Sequence, residues 1–119
     1  MYFAPKPITK ATMEESELRR DKTGARRYDD CGLGKKALYL GAWGMSCMRY
    51  LPLTQIERVY KRLAVSKGFF EQGRVYGTLS YLVVCYDGRE KAVRFAREED
   101  VNSLLHQFAD ETDVPVGKP

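Results

Sequence analysis

Apolar and aromatic residues dominate residues 75–86, and this is the clearest strand pattern in the chain. Successive side chains of a strand point to opposite faces. Both faces of this segment carry apolar residues, as expected of a central or strongly curved strand. Asp87-Gly88 follows at once and is the strongest short signal for a two-residue hairpin turn. Residues 91–96 are the predicted partner strand, so the pattern predicts an antiparallel hairpin.

Three shorter strands are predicted before this hairpin. Residues 28–33 form a first candidate strand, and residues 37–40 form a second one. A turn at Trp43-Gly44 then leads to a third strand over residues 45–50. Pro52 ends that strand, because proline cannot donate a backbone hydrogen bond to a sheet.

Residues 53–65 fit two different structures. Ile56, Val59, Tyr60 and Leu63 recur at i, i+3, i+4 and i+7, which is the spacing of a helix. The same segment is rich in β-branched and aromatic residues, which favour strands. A single helical turn at residues 54–57 followed by a strand through residue 65 reconciles the two patterns.

An amphipathic helix is predicted at residues 98–108. Its first three residues are acidic, which favours the positive end of a helix. Four apolar residues between Val101 and Phe108 recur at helical spacing and form one stripe that must be buried. His106 lies on the opposite side of this helix, so we expect it in solvent.

The two ends of the chain have weaker patterns. Residues 12–18 predict either a short helix, with Thr12 as the N-cap and Glu15 completing a capping box, or a loose arm. Residues 19–27 predict a charged turn around Gly24. We expect the residues after Asp110 to be frayed, because they are rich in proline and glycine.

Several short strands followed by one amphipathic helix are typical of an α+β fold. The segments at residues 36–41 and 51–59, the Asp87-Gly88 hairpin and the helix at residues 98–108 resemble, in this order, a pleckstrin-homology-like domain. The segment IERVYKRLAVSKG at residues 56–68 is similar to segments of small uncharacterised bacterial proteins with that domain. The resemblance covers residues 27–110.

The resemblance implies a curved antiparallel sheet that forms a partly open barrel, capped by the C-terminal amphipathic helix. Residues 1–26 are then an N-terminal arm or short helix, and residues 111–119 a flexible tail. In such domains the segment after Pro52 leads into a strand, so the resemblance favours a strand at residues 59–65. The fold by itself implies little about function, because such scaffolds host unrelated functions, but for the bacterial members of the family a protein or peptide partner is the common expectation.

Length, charge and cysteine content narrow the class of protein. The chain has 119 residues, which suits one domain. No apolar run approaches the roughly 20 residues of a membrane helix, and residues 1–6 lack the apolar core of a signal peptide. We therefore expect a cytoplasmic domain with reduced thiols. The formal net charge is +4, and the basic residues concentrate before residue 87.

The sequence offers little catalytic chemistry. His106 is the only histidine and is expected in solvent, and the three cysteines match neither a redox pair nor a zinc pattern. The segment at residues 32–36, GLGKK, lacks the spacing of a phosphate-binding loop, so we interpret it as a turn. We expect no metal, no cofactor and no enzymatic activity, although an active site without a recognisable motif stays an alternative.

Binding is the predicted function, and two kinds of partner are considered. A protein or peptide partner would need an exposed apolar patch or an open strand edge. Nucleic acid or another anionic surface would instead use basic residues. Phosphoinositide binding is disfavoured, because no Lys/Arg-x-Arg motif occurs. The candidate binding residues are Arg19, Arg20, Arg26, Arg27, Lys35, Lys36, Arg58 and Arg62.

Overall fold

The computed structural model describes residues 5–29, 31–41, 48–66 and 77–118, which form an α+β fold. Its described elements are two β-sheets, two α-helices and one short 3-10 turn. The two sheets are separate and do not close into a barrel within these residues. In chain order the elements are β1 (Lys6–Pro7), α1 (Glu15–Thr23), β2 (Arg26–Tyr28), β3 (Cys31–Leu33), β4 (Ala37–Leu40), β5 (Arg49–Pro52), the 3-10 turn (Leu53–Gln55), β6 (Ile56–Ser66), β7 (Gly77–Tyr86), β8 (Arg89–Phe95) and α2 (Glu98–Glu111).

The first sheet has the strand order β1-β5-β4-β3-β2. Strands β2 to β5 are antiparallel, whereas β1 pairs with β5 in parallel. Strand β1 lies in the predicted N-terminal arm, and its parallel pairing was not predicted from the sequence. Pro7 is compatible with this position, because the backbone N–H groups of its neighbours Lys6 and Ile8 donate instead, to the carbonyls of Met48 and Tyr50, each at 3.0 Å.

Residues 28–33 form two strands and not the single strand predicted from the sequence. Tyr28 pairs with Cys31 across a tight turn, and Asp29 in that turn has a φ of 55°. Asp residues tolerate this left-handed conformation better than most. The carboxylate of Asp29 also accepts a hydrogen bond from the backbone N–H of Ala96, at 3.0 Å, which links this turn to the end of β8.

The second sheet has the order β6-β7-β8 and is antiparallel throughout. It resolves the ambiguity at residues 53–65: one 3-10 turn precedes a strand of eleven residues. Val59 and Tyr60 lie opposite Val84 and Val83 of β7. This pairing of β-branched and aromatic side chains across strands outweighs the helical spacing of the segment.

The predicted hairpin at Asp87-Gly88 is confirmed. Asp87 has a φ of 50° and Gly88 a φ of 70°, which is the backbone of a type I′ turn. Tyr86 and Arg89 flank the turn as a pair, so β8 begins two residues earlier than predicted. The predicted turn at Trp43-Gly44 and residues 75–76 of the predicted strand lie outside the described residues.

The main core lies between the two sheets and helix α2. Val101, Leu104 and Phe108 are fully buried against it, as the apolar stripe predicts, and His106 is exposed. The Tyr28 hydroxyl donates a 2.6 Å hydrogen bond to the side chain of Gln107, which ties β2 to α2. Helix α2 therefore contacts both sheets.

A second, smaller core covers the opposite face of the first sheet. Helix α1 places Leu18 over Ala37 and Tyr39 of β4, together with Tyr50 of β5. Strand β4 is consequently buried on both faces. The sequence prediction for this region is wrong in two respects, because the helix continues through residues 19–23 and Thr12 does not cap it.

The predicted flexible tail comprised residues 111–119. Of these, Glu111 ends α2, and residues 112–118 run along β6. Val59 donates its backbone N–H to the carbonyl of Pro115 at 3.0 Å and accepts from the N–H of Gly117 at 2.8 Å. Val114 is buried in the main core. One guanidinium N–H of Arg58 also donates to the carbonyl of Gly117 at 2.7 Å. These contacts give the tail a defined path over the sheet.

The carboxylate of Asp21 joins α1 to the turn between β3 and β4, an arrangement we call the Asp21 clamp. It accepts hydrogen bonds from the backbone N–H groups of Lys35, Lys36 and Ala37 at 2.9, 3.1 and 3.2 Å. The Tyr39 hydroxyl donates a fourth bond at 2.8 Å. Residues 34–36 of the GLGKK segment form a turn, as predicted, whereas Gly32 and Leu33 belong to β3. The N–H groups of Lys35 and Lys36 in this turn bind a carboxylate of the same chain.

Gly34 is required by the clamp. A Cβ atom at this position would lie closer than 3.0 Å to three carboxyl atoms of Asp21. Those atoms cannot retreat without losing the four hydrogen bonds that hold them. The glycine is therefore needed for close approach.

We expect Gly34→Ala to lower the free energy of unfolding by about 2 kcal/mol and Asp21→Ala by about 3 kcal/mol, because each breaks the clamp. The two losses are not additive. In the Asp21→Ala background, Gly34→Ala has no carboxyl to meet and costs at most about 0.5 kcal/mol. Urea unfolding of the two single variants and the double variant measures this coupling.

Glu17→Gln is the matched control for this cycle. Glu17 lies on the same helix, and its 3.3 Å ion pair with Lys36 is solvent-exposed on both sides. Such pairs contribute little, so the substitution changes the free energy by about 0.5 kcal/mol or less. Additive losses for Asp21→Ala and Gly34→Ala would contradict the clamp.

Candidate functional site

The eight basic residues of the predicted binding surface lie on four parts of the fold. Arg19 and Arg20 are on α1, Arg26 and Arg27 on β2, Lys35 and Lys36 in the β3–β4 turn, and Arg58 and Arg62 on β6. The structure brings three of them, Arg20, Lys35 and Lys36, to one open cavity of ≈ 330 Å³. Glu17 and Asp21 line the same cavity, so its positive charge is largely balanced.

Arg58 and Arg62 have partners within the chain. They share one face of the second sheet with Tyr60, as the alternation predicts. Arg58 holds the tail, and the Arg62 guanidinium lies 5.3 Å from the ring centroid of Tyr81. Lys61 points to the opposite face, where its amine donates to Glu98 at 2.8 Å and to Asn102 at 2.9 Å. The basic residues of β6 are therefore divided between two faces.

His106 lies at the rim of an open depression of ≈ 430 Å³ that Lys61 and Asn102 also line. Its imidazole makes no hydrogen bond or ion pair with the part of the chain that the structure describes. A general base is normally oriented by a second group. Lys61 and Asn102 bond to each other and leave the imidazole unoriented.

Cys85 is the partly exposed cysteine of the described chain, whereas Cys31 is buried. Its thiol lies 3.8 Å from a carboxylate oxygen of Glu90, which also accepts the Tyr60 hydroxyl at 2.8 Å. Burial, followed by the negative charge of Glu90, raises the pKa of the Cys85 thiol. A raised pKa keeps the thiol protonated and makes it a poor nucleophile. Cys47 lies outside the described residues.

Neither a group of metal ligands nor a membrane-spanning helix occurs among the described residues. Within residues 5–29, 31–41, 48–66 and 77–118, no three His, Cys, Asp or Glu side chains are grouped so that they could hold a metal ion. Neither described helix combines the length and the apolar character that crossing a membrane requires.

Among the described residues, the outer side of β8 is an open strand edge. Strand β8 is last in the order β6-β7-β8, and among the described residues it pairs with β7 alone. Five of its seven residues are exposed. An open edge presents unpaired N–H and C=O groups to which another strand can add.

The hairpin turn determines which backbone groups face outward. In a two-residue hairpin, the residues flanking the turn exchange both of their hydrogen bonds, and here these are Tyr86 and Arg89. Every second residue after Arg89 also faces β7. The backbone N–H and C=O groups of Glu90, Ala92 and Arg94 therefore point away from the sheet. We call these three residues the β8 edge.

The β8 edge has a regular chemistry. All three residues are exposed, and their side chains lie on one face of the sheet, opposite Cys85, Val83 and Tyr81. A small residue is flanked by one acidic and one basic residue. The other outer strand of this sheet differs, because the tail occupies the edge of β6 at Val59.

Sequence reasoning predicts that an open edge would identify a protein-binding module, but it does not locate that edge. The Asp87-Gly88 turn is the signal that could have done so. It identifies β8 as one arm of a two-residue hairpin and hence which of its residues face outward. The turn does not predict whether another strand covers the outer side of β8, because that depends on the tertiary arrangement.

Comparison of the chain with models of known protein families, with curated proteins and with solved structures finds no significant match. No family is therefore shown by similarity. The resemblance to pleckstrin-homology-like domains rests on the residues that carry it. The geometry of the described residues is the basis for assigning a function.

We expect Lys91→Pro to destabilise the protein by about 3 kcal/mol, because the N–H of Lys91 faces β7 and its loss removes a bond of the sheet. Ala92→Pro removes an N–H that faces outward, as edge strands tolerate. It should cost at most about 1 kcal/mol. Both positions are exposed, and Lys91→Ala controls for the side chain. If urea unfolding shows Ala92→Pro to be less stable than Lys91→Pro, then the N–H of Ala92, and not that of Lys91, faces β7.

We expect Cys85 to react with iodoacetamide at pH 8 more slowly than an unfolded thiol, since its raised pKa leaves little thiolate. Glu90→Gln removes the negative charge and should accelerate the reaction severalfold. The rate should stay below that of the unfolded chain, because burial remains. Peptide-resolved mass spectrometry separates Cys85 from the other cysteines. An unchanged rate in Glu90→Gln would contradict the role of this carboxylate.

Proposed function

We propose that this chain is a non-enzymatic module that binds a protein or peptide partner by adding a strand to the β8 edge. The observation that carries the proposal is the outward-facing backbone of Glu90, Ala92 and Arg94 on an exposed strand. Strand addition obtains affinity from backbone hydrogen bonds and specificity from alternate side chains. The β8 edge supplies both.

The same proposal includes the pleckstrin-homology-like, partly open barrel. Its support is the order of elements: the antiparallel strands β2 to β5, the antiparallel strands β6 to β8, and a C-terminal helix that contacts both sheets. A helix packed across the open end of a curved sheet is the arrangement that the resemblance implies. Such scaffolds host unrelated functions, so the edge, and not the fold, carries the functional argument.

The affinity expected of this site is moderate. Three outward residues provide three N–H donors and three carbonyl acceptors, and each backbone bond contributes about 0.5–1.5 kcal/mol net. Association also costs several kcal/mol in lost freedom of motion. Six such bonds contribute about 3–9 kcal/mol before that cost, so a submillimolar to millimolar dissociation constant is the expected range. The partner strand should carry a basic residue opposite Glu90 and an acidic residue opposite Arg94.

Nucleic acid or another anionic surface is the alternative partner. The described contacts support binding of an anionic partner less than they support strand addition at the β8 edge. Arg58 and Arg62 are engaged within the chain, and the cavity beside Arg20 contains two carboxylates. Such binding would weaken steeply with salt, whereas backbone-mediated strand addition would change little.

The test is a selection of displayed random peptides of about eight residues against the immobilised protein, enough to cover the length of β8. We expect the selected peptides to bind the wild-type chain with submillimolar affinity by fluorescence polarisation. Ala92→Pro should abolish their binding, because proline has no N–H to donate and its ring blocks the approaching strand. In amide exchange, the peptides should protect Glu90, Ala92 and Arg94.

Ala92→Ser is the matched control, since it alters the same side chain and keeps the N–H group. Its peptide affinity should stay close to that of the wild-type protein. Peptides that bind Ala92→Pro as tightly as wild type would place the binding site elsewhere. Binding that is lost when the salt concentration is raised would favour the anionic alternative.

A further inference from the structure

The β8 edge is complementary to itself. Glu90 and Arg94 carry opposite charges and stand two residues on either side of Ala92, on the same face of the strand. We propose that a second copy of this chain adds to the β8 edge in antiparallel orientation, with the twofold axis at Ala92. This inference rests on the proposed function, because it uses the same edge and names an occupant for it.

The backbone groups meet in this register. Antiparallel strands exchange pairs of hydrogen bonds between opposite residues at every second position. With Ala92 opposite the partner's Ala92, Glu90 lies opposite the partner's Arg94, and Arg94 opposite the partner's Glu90. All outward N–H and C=O groups then find partners, which gives six hydrogen bonds. The two three-stranded sheets become one sheet of six strands.

The side chains support the same register. One carboxylate oxygen of Glu90, Oε2, accepts the Tyr60 hydroxyl, and no described residue donates to the other, Oε1. Arg94 is exposed and forms no ion pair with the described residues. Oppositely charged residues directly across two strands stabilise the pairing of those strands. The dimer contains two such pairs, with the two small Ala92 side chains between them.

Three other symmetric registers place like charges together, and a fourth, with its axis at Val93, sets Arg94 opposite Ala92 and so pairs no opposite charges. An axis at Glu90 sets two glutamates opposite each other, and an axis at Arg94 sets two arginines opposite each other. An axis at Lys91 brings two lysines together. Charged residues on an edge commonly prevent unwanted pairing. Here their pattern opposes these three registers and favours the one centred on Ala92.

The predicted interface is small. A single pair of short strands buries less than the roughly 1,600 Å² of a standard stable complex. The dimer should therefore form in the micromolar to submillimolar range, where strand ligands compete with it for the edge. Self-association would then limit access of a foreign strand at high concentrations of the chain.

Sedimentation velocity from about 1 µM to about 1 mM tests the proposal. We expect the wild-type chain to shift from monomer to dimer and Ala92→Pro to stay monomeric. Glu90→Arg and Arg94→Glu should each be monomeric alone, because each sets like charges opposite one another. An equimolar mixture of these two variants should form a heterodimer, since both cross-strand pairs are then attractive. Tyr60→Phe, which removes the intramolecular partner of Glu90, should still dimerise.

Three results would overturn the dimer: a wild-type monomer at every concentration, a dimer that persists in Ala92→Pro, or no heterodimer in the mixture. Circular dichroism of each variant separates loss of association from loss of folding. The peptide selection shows whether peptide binding at the β8 edge fails together with dimer formation or independently of it. A monomeric chain that still binds selected peptides through Ala92 retains the function and loses the dimer. A dimer that binds no selected peptide retains the self-association and contradicts the binding of a foreign peptide at the β8 edge.

Discussion

The carboxylate of Asp21 is the contact on which the arrangement of the first half of the fold depends. Four donors converge on it, three of them backbone N–H groups of one turn. Without this charge, the turn between β3 and β4 would present unsatisfied N–H groups beside a helix of mostly charged residues. With it, α1 is held over β4, and a strand buried on both faces becomes possible. The Asp21 clamp therefore allows α1, a helix of mostly charged residues, to bury Leu18 against β4.

Backbone groups are satisfied in different ways in the two halves of the chain. In the first half, α1 and β1 cover the sheet, and Asp21 binds the N–H groups of the turn. In the second half, the tail pairs with β6 at Val59, while β8 keeps its outward groups exposed. Unpaired backbone groups on a strand favour addition of another strand. This difference distinguishes β8 from the edge of β6 at Val59 as a candidate for strand addition.

The predictable parts of the fold were those with local causes. Asp87-Gly88 determines its hairpin through backbone conformation alone, and the stripe from Val101 to Phe108 predicts the buried face of α2. The boundaries of α1 were not predictable, because Asp21 stabilises it through residues more than ten positions away. The strand at β6 needed the resemblance, since its own periodicity also fits a helix and only pairing with β7 decides between them.

The candidate site was harder to predict because composition reports side chains, whereas the β8 edge consists of backbone groups. Counting lysines and arginines directs attention to Arg58 and Arg62, which the fold uses internally to hold the tail and to stack on Tyr81. Glu90, Ala92 and Arg94 form no recognisable motif in the sequence. They matter because the type I′ turn determines which residues of β8 face β7 and which face outward. A charge pattern becomes an interaction surface only when the neighbouring backbone is free to bond.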